Sequence, residues 1–95
     1  MIKQADKFII TECPRDAMQG WPHFIPTKKK IEYINTLLQV GFDIIDFGSF
    51  VSAKAIPQMA DTKDVIGQLS NVNDKTKLLA IVANVRGAHE AMHFN

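Results

Sequence analysis

The sequence predicts an α/β fold in which strands and helices alternate and the strands run parallel. Three short apolar runs of strand length support this: Phe8-Ile9-Ile10, Phe42-Asp43-Ile44-Ile45-Asp46-Phe47 and Leu78-Leu79-Ala80-Ile81-Val82-Ala83. Ile31, Ile34, Leu37 and Leu38, between the first two runs, fall at helical spacing and give a helix one apolar face. Strand, helix and strand joined by a short return make a βαβ unit, which sets its two strands parallel.

The first strand is expected over Lys7–Glu12. Prolines at 14, 22 and 26 argue against helix or strand from Pro14 to Pro26. A helix then starts near Thr27, a plausible N-cap, and Gly41 supplies a left-handed stop. Lys28-Lys29-Lys30 lies in its first turn, opposes the helix dipole and is expected to be a solvated face. The second strand, Phe42–Phe47, follows at once. Past Gly48-Ser49-Phe50-Val51-Ser52, Pro57 interrupts Ala53–Ala60, and a weaker helix is expected over Thr62–Leu69. Asp61 is its candidate N-cap, and Asp64 stands three residues on, as in a capping box. Asn71–Thr76 is a polar loop. Leu78–Ala83 is the most hydrophobic stretch and is expected to be a third buried strand. Val85–Phe94 is expected to be helical, with Gly87 as its weak point.

The order is therefore βαβαβα over residues 1–95, with no linker or repeat to mark a boundary. Three parallel strands leave two open edges and apolar faces with little to cover them. The expectation is a single incomplete domain, part of a larger sheet or barrel.

Ninety-five residues with a net charge of +1 give no reason to expect nucleic acid or an anionic membrane as partner. Cys13 is the sole cysteine, so no internal disulfide framework exists. No apolar run reaches membrane-spanning length, and Met1–Lys7 lacks the apolar core of a secretory signal. A cytoplasmic location is expected.

The chemistry gathers where strands end. After the first run comes Thr11-Glu12-Cys13-Pro14-Arg15-Asp16-Ala17-Met18-Gln19-Gly20. Arg15 offers a planar fork of donors for a carboxylate or carbonyl oxygen, Asp16 a hard oxygen for a divalent cation, and Gln19 a donor or acceptor toward substrate. A surface Arg-Asp pair capping the turn is the plain alternative. Asp46 stands near the end of the second strand, on the opposite face from Ile45, as a site acid or a solvated one. Ser49, Ser52, Lys54, Gln58 and Asn84 suit phosphate or carboxylate ligands, and equally ordinary loop hydrogen bonding. His89-Glu90-Ala91-Met92-His93 matches H-E-x-x-H, which on a helix sets two imidazoles on one face for zinc. Such a site needs a third ligand, His23 being one choice; an exposed amphipathic helix is the alternative. Cys13 is read as a buried structural thiol rather than a nucleophile.

Read together, Glu12–Gln19 and Asp46–Asp61 resemble the 3-hydroxy-3-methylglutaryl-CoA lyase family, and Asn84-Val85-Arg86-Gly87 resembles the segment after that family's third strand. Pro14-Arg15-Asp16 is shared more widely among metal-dependent condensing enzymes. Ser49-Phe50-Val51-Ser52 with Pro57-Gln58-Met59-Ala60-Asp61 points to the lyase branch.

The resemblance implies the first three units of a TIM (β/α)8 barrel of roughly three times this length. It also implies cleavage of hydroxymethylglutaryl-CoA to acetyl-CoA and acetoacetate with a divalent cation, Mg2+ or Mn2+. On that basis Asp16 would be a metal ligand, and Arg15 would be catalytic, contacting the acyl carbonyl and stabilising the enolate. Gln19 and Ser49 would bind substrate. Asp46 stands where the family has Glu, close to the metal centre. Further departures are Cys13 for Gly, Ala17-Met18 for Gly-Leu and Ala53 for Pro. The family's His-x-His pair, Asn ligand and catalytic Cys match nothing in these 95 residues, so this piece alone is expected to be inactive. The alternatives are a non-catalytic, self-associating α/β fragment, open to homo-oligomers, and the zinc helix at 89–93.

Overall fold

A computed structural model describes residues 8–70 and 75–94. Lys7, at the start of the expected first strand, and residues 71–74 of the polar loop lie outside the described residues. The elements are β1 (Thr11–Glu12), α1 (Pro14–Gln19), α2 (Thr27–Val40), β2 (Ile44–Ser49), a 3-10 turn (Pro57–Met59), α3 (Thr62–Gly67), β3 (Lys77–Ile81) and α4 (Val85–Met92). The three strands form one parallel sheet in the order β1-β2-β3.

One face of β2 makes the core. Ile45 and Phe47 pack against Ile34 and Leu38 of α2 and Val65 of α3, with Leu78 and Ala80 of β3 partly buried beside them. The register runs Ile45↔Leu78 and Asp46↔Leu79, then shifts between Asp46 and Gly48. This irregularity brings Gly48 under α3, where a Cβ would stand 2.8 Å from Thr62 Cγ2 and 2.9 Å from Thr62 Oγ1. Thr62 cannot swing aside freely. Its Oγ1 accepts from Ser49 N at 3.0 Å and donates to the Met59 carbonyl at 2.9 Å. Only glycine fits there.

Several expectations are corrected. The first strand is two residues long, and Phe8, Ile9 and Ile10 are exposed to 85%, 69% and 58% rather than buried. The pairing does begin at Ile10, whose carbonyl accepts from Asp43 N and Ile44 N. Among the described residues nothing covers Phe8 and Ile9, so their apolar side chains stay in water. The expected irregular stretch after Cys13 contains α1 instead. Pro14 occupies its first turn, where a missing N–H costs nothing, and Asp16 in the same turn complements the dipole.

The lysine run is not uniformly solvated. Lys30 is one helical turn before Ile34 and two before Leu38, on the same stripe, and is 2% exposed. Its Nζ donates to the Gln58 carbonyl and to Asp61 Oδ1 at 2.6 Å, and sits 4.1 Å from the centre of the Phe24 ring.

Asp61 does occupy the N-cap position of α3, but its carboxylate makes no cap bond. It accepts from Lys30 and, at 2.7 Å, from the Thr27 hydroxyl. Thr27 in turn is the first residue of α2, with Pro26 at the N-cap. Gly41 ends α2 with φ +95, as expected.

The third strand is half open: Leu79 is 42% exposed, and Val82, just past its end, 43%. Gly87 is a site of close approach rather than a weak point. A Cβ there would meet the Phe50 carbonyl oxygen at 3.0 Å. No described helix is long and apolar enough to cross a membrane.

Candidate active site

Sheet and helix geometry bring Arg15 to Asp46. Arg15 lies in the second position of α1, directly after β1. Asp46 lies on β2, facing away from the core side chains Ile45 and Phe47, and is 4% exposed. Arg15 Nε donates to Oδ1 at 3.0 Å and Oδ2 at 3.1 Å, and Nη2 donates to Oδ2 at 2.8 Å. Nη1 donates to Gln19 Oε1, one turn on along α1, at 2.9 Å. The guanidinium plane is thus fixed from two sides. The hydrogen bond to Asp46 raises the Arg15 pKa above its ordinary value, burial opposes it, and the charges of Asp46 and Asp16 add to the rise. Arg15 therefore stays a cation across the working pH range.

Of the sequence candidates, Arg15, Gln19 and Asp46 come together. Asp16 is exposed on α1, so its carboxylate is open to solvent. Among the described residues no group of three or more His, Cys, Asp or Glu is placed to hold a metal ion. Asp16 therefore fits a cation as one hard-oxygen ligand of a set that needs others; Asp46 is already committed to Arg15.

Ser49 is buried at the end of β2, its Oγ accepting from Val51 N at 3.1 Å. It lines a cleft of about 320 Å3 with Ser52, Lys63, Asn84 and Arg86. Lys54 is exposed. Asn84 serves α4 as N-cap, accepting from Gly87 N at 2.8 Å.

Gln58 turns out to be a staple. Its Oε1 accepts from Ile25 N at 2.8 Å, and its Nε2 donates to the Trp21 and His23 carbonyls at 3.3 and 2.9 Å. With Lys30 and Asp61 it pins the stretch 21–27 beside α1. Reading for sites alone misses this group; the i, i+4 phase of Lys30 with Ile34 is the signal that finds its centre.

The H-E-x-x-H residues lie on and just past α4. Glu90 is paired with Lys63 of α3. That hydrogen bond lowers the Glu90 pKa; burial opposes it, and the nearby charges of Lys63 and Arg86 add to the lowering. His23 does not join His89 and His93 in a metal-holding group. Cys13 is a half-buried free thiol at the start of α1.

No family model matches the chain. Individual relatives do. The mitochondrial hydroxymethylglutaryl-CoA lyase of Arabidopsis thaliana is 36% identical over 84 residues, covering 88% of this chain and 18% of that protein. The cytoplasmic 3-hydroxy-3-methylglutaryl-CoA lyase of Rattus norvegicus is 37% identical over 84 residues, covering 88% and 24%. The solved structure of an HMG-CoA lyase from Acinetobacter baumannii, in complex with coenzyme A and 3-methylmalate, superposes with a TM-score of 0.91. It is 36% identical, and the match covers 100% of this chain and 31% of that one. The chain thus spans about a fifth to a third of the length of these relatives. Identity of this level, sustained along a common backbone, places the chain in the hydroxymethylglutaryl-CoA lyase family.

Proposed function

We propose that this chain supplies the arginine pole of a carbon–carbon lyase site acting on hydroxymethylglutaryl-CoA, as the first three units of a (β/α)8 barrel. The single incomplete domain 1–95 would be completed by further strands. The observation that carries the proposal is the Arg15 fork, seated on buried Asp46 and braced by Gln19. In the reaction, the substrate's tertiary hydroxyl loses its proton and the bond to the thioester's α-carbon breaks. The electron pair moves onto the thioester oxygen as acetoacetate departs, and the resulting enolate takes up a proton to become acetyl-CoA. A permanently charged, pre-aimed guanidinium stabilises that enolate oxygen without reorganising. Gln19 and Ser49 bind the substrate, Asp16 holds the metal, and Asp46, one methylene shorter than Glu, keeps Arg15 aimed. When bound, a divalent cation (Mg2+ or Mn2+) supplies positive charge to the substrate oxygens. Acyl-CoA is the partner. A cytoplasmic location belongs to the same proposal and rests on the lone Cys13 and the cytoplasmic relative.

With one carboxylate ligand, the 95 residues alone are expected to release no acetyl-CoA. Transplanting residues 8–94 in place of the matched segment of the Acinetobacter enzyme is expected to give a chimera with cation-dependent lyase activity. Cation-dependent release by the piece alone, or a folded but inactive chimera, would count against the proposal.

The exposed Phe8, Ile9 and Leu79 on a sheet with two open edges favour a second reading, self-association of this chain. Sedimentation is expected to show oligomers; a stable monomer would end that reading.

A further inference from the structure

We propose that α4 and the residue that caps its C-terminus carry a surface site for a soft monovalent cation of the copper(I) class, formed by His89, Met92 and His93. The three residues stand at i, i+3 and i+4, spacing that stacks side chains on one side of a helix. Together they line a shallow hollow of about 330 Å3 on the surface. All three are exposed, Met92 to 69%, so a cation reaches them without any opening of the fold.

The ring of His93 is already oriented. Its Nδ1 lies 2.9 Å from the His89 carbonyl oxygen. A carbonyl only accepts, so Nδ1 is the donor, which leaves Nε2 as the ring nitrogen turned to a ligand. Metal-binding imidazoles are commonly held by such a second bond.

The donor set selects the class of cation. Zinc takes imidazole, thiolate or carboxylate and needs at least three such protein ligands. Among the described residues no group of three is available, and Glu90 is tied to Lys63. Thioether sulfur beside imidazole nitrogen suits copper(I) instead. The H-E-x-x-H match is thus better read as His-x-x-Met-His, with the methionine in place of the acid. This site is independent of the lyase proposal.

Titrating the chain, purified without a histidine tag, with copper(I) against a chromophoric chelator is expected to show a single copper bound per chain. His89→Ala and Met92→Leu, both at exposed positions, should each weaken it roughly tenfold or more. Cys13→Ser should leave it unchanged, since the only thiol lies elsewhere. The Met92 methyl resonance should shift as copper(I) is added. Loss of binding in Cys13→Ser, wild-type affinity in both helix variants, or a Met92 resonance that does not move would overturn the site.

Discussion

Asp61→Ala is expected to destabilise this chain by about 3–5 kcal/mol, the cost of leaving a buried cation without its partner. Lys30 is 2% exposed and, among the described residues, donates to the Gln58 carbonyl and the Asp61 carboxylate, with the Phe24 ring alongside. Removing the carboxylate also strands the Thr27 hydroxyl at the start of α2. Small domains have total stabilities of roughly 5–15 kcal/mol, so the loss takes much of what is available. Urea denaturation followed by circular dichroism measures it. The cause is separable by a second substitution: adding Lys30→Met removes the orphaned charge and is expected to recover a large part of the loss. A single-variant cost below about 1 kcal/mol would mean that water reaches Lys30 Nζ and that the pair is a surface one.

Arg15→Met is expected to lower turnover of the chimeric lyase by about 10²- to 10³-fold, the usual cost of removing one donor from a pre-aimed electrostatic site. The loss should fall on kcat more than on KM, because the oxygen becomes a full anion only as the carbon–carbon bond breaks. Asp46→Asn keeps the shape of the buried acid but loses the charge-assisted fork and is expected to cost less than Arg15→Met. Asp16→Asn should act differently, raising the cation concentration needed for half-maximal activity. Steady-state kinetics at several cation concentrations tell the three apart. Full turnover in both Arg15→Met and Asp16→Asn would remove these residues from the site.

The candidate site was legible only in part: a short segment shows where the first strand ends, but Asp46, expected near the end of its strand, is the third of the six residues of β2. Arg15 follows an apolar run by a few positions, and Asp46 lies within another. That the two meet was not legible, since their ion pair spans 31 residues and depends on β1 lying beside β2. Two departures from expectation share a cause. Proline is excluded from helix interiors, yet Pro14 stands in a first turn, where it is tolerated. The three lysines form one run in sequence, whereas helical phase separates Lys30, which points inward with Ile34 and Leu38, from Lys28 and Lys29, which point out. The spacing was present; its consequence needed a partner, Asp61, that no local window contains.

By itself the sequence determined the alternation of strands and helices, the stop at Gly41, the apolar stripe of α2 and the position of Arg15 after the first strand. These depend on periodicity, backbone restriction and residue chemistry over a few neighbouring positions. Only the tertiary structure decided how deeply each run is buried, which acid Arg15 grips, and that Gln58, Lys30 and Asp61 brace the stretch beside it. Burial is a property of what packs on a face: Phe8-Ile9-Ile10 is as apolar as Ile44-Ile45, but among the described residues no apolar layer covers its side chains. Ion-pair choice likewise follows from parallel strand order, which brings distant residues within hydrogen-bond reach.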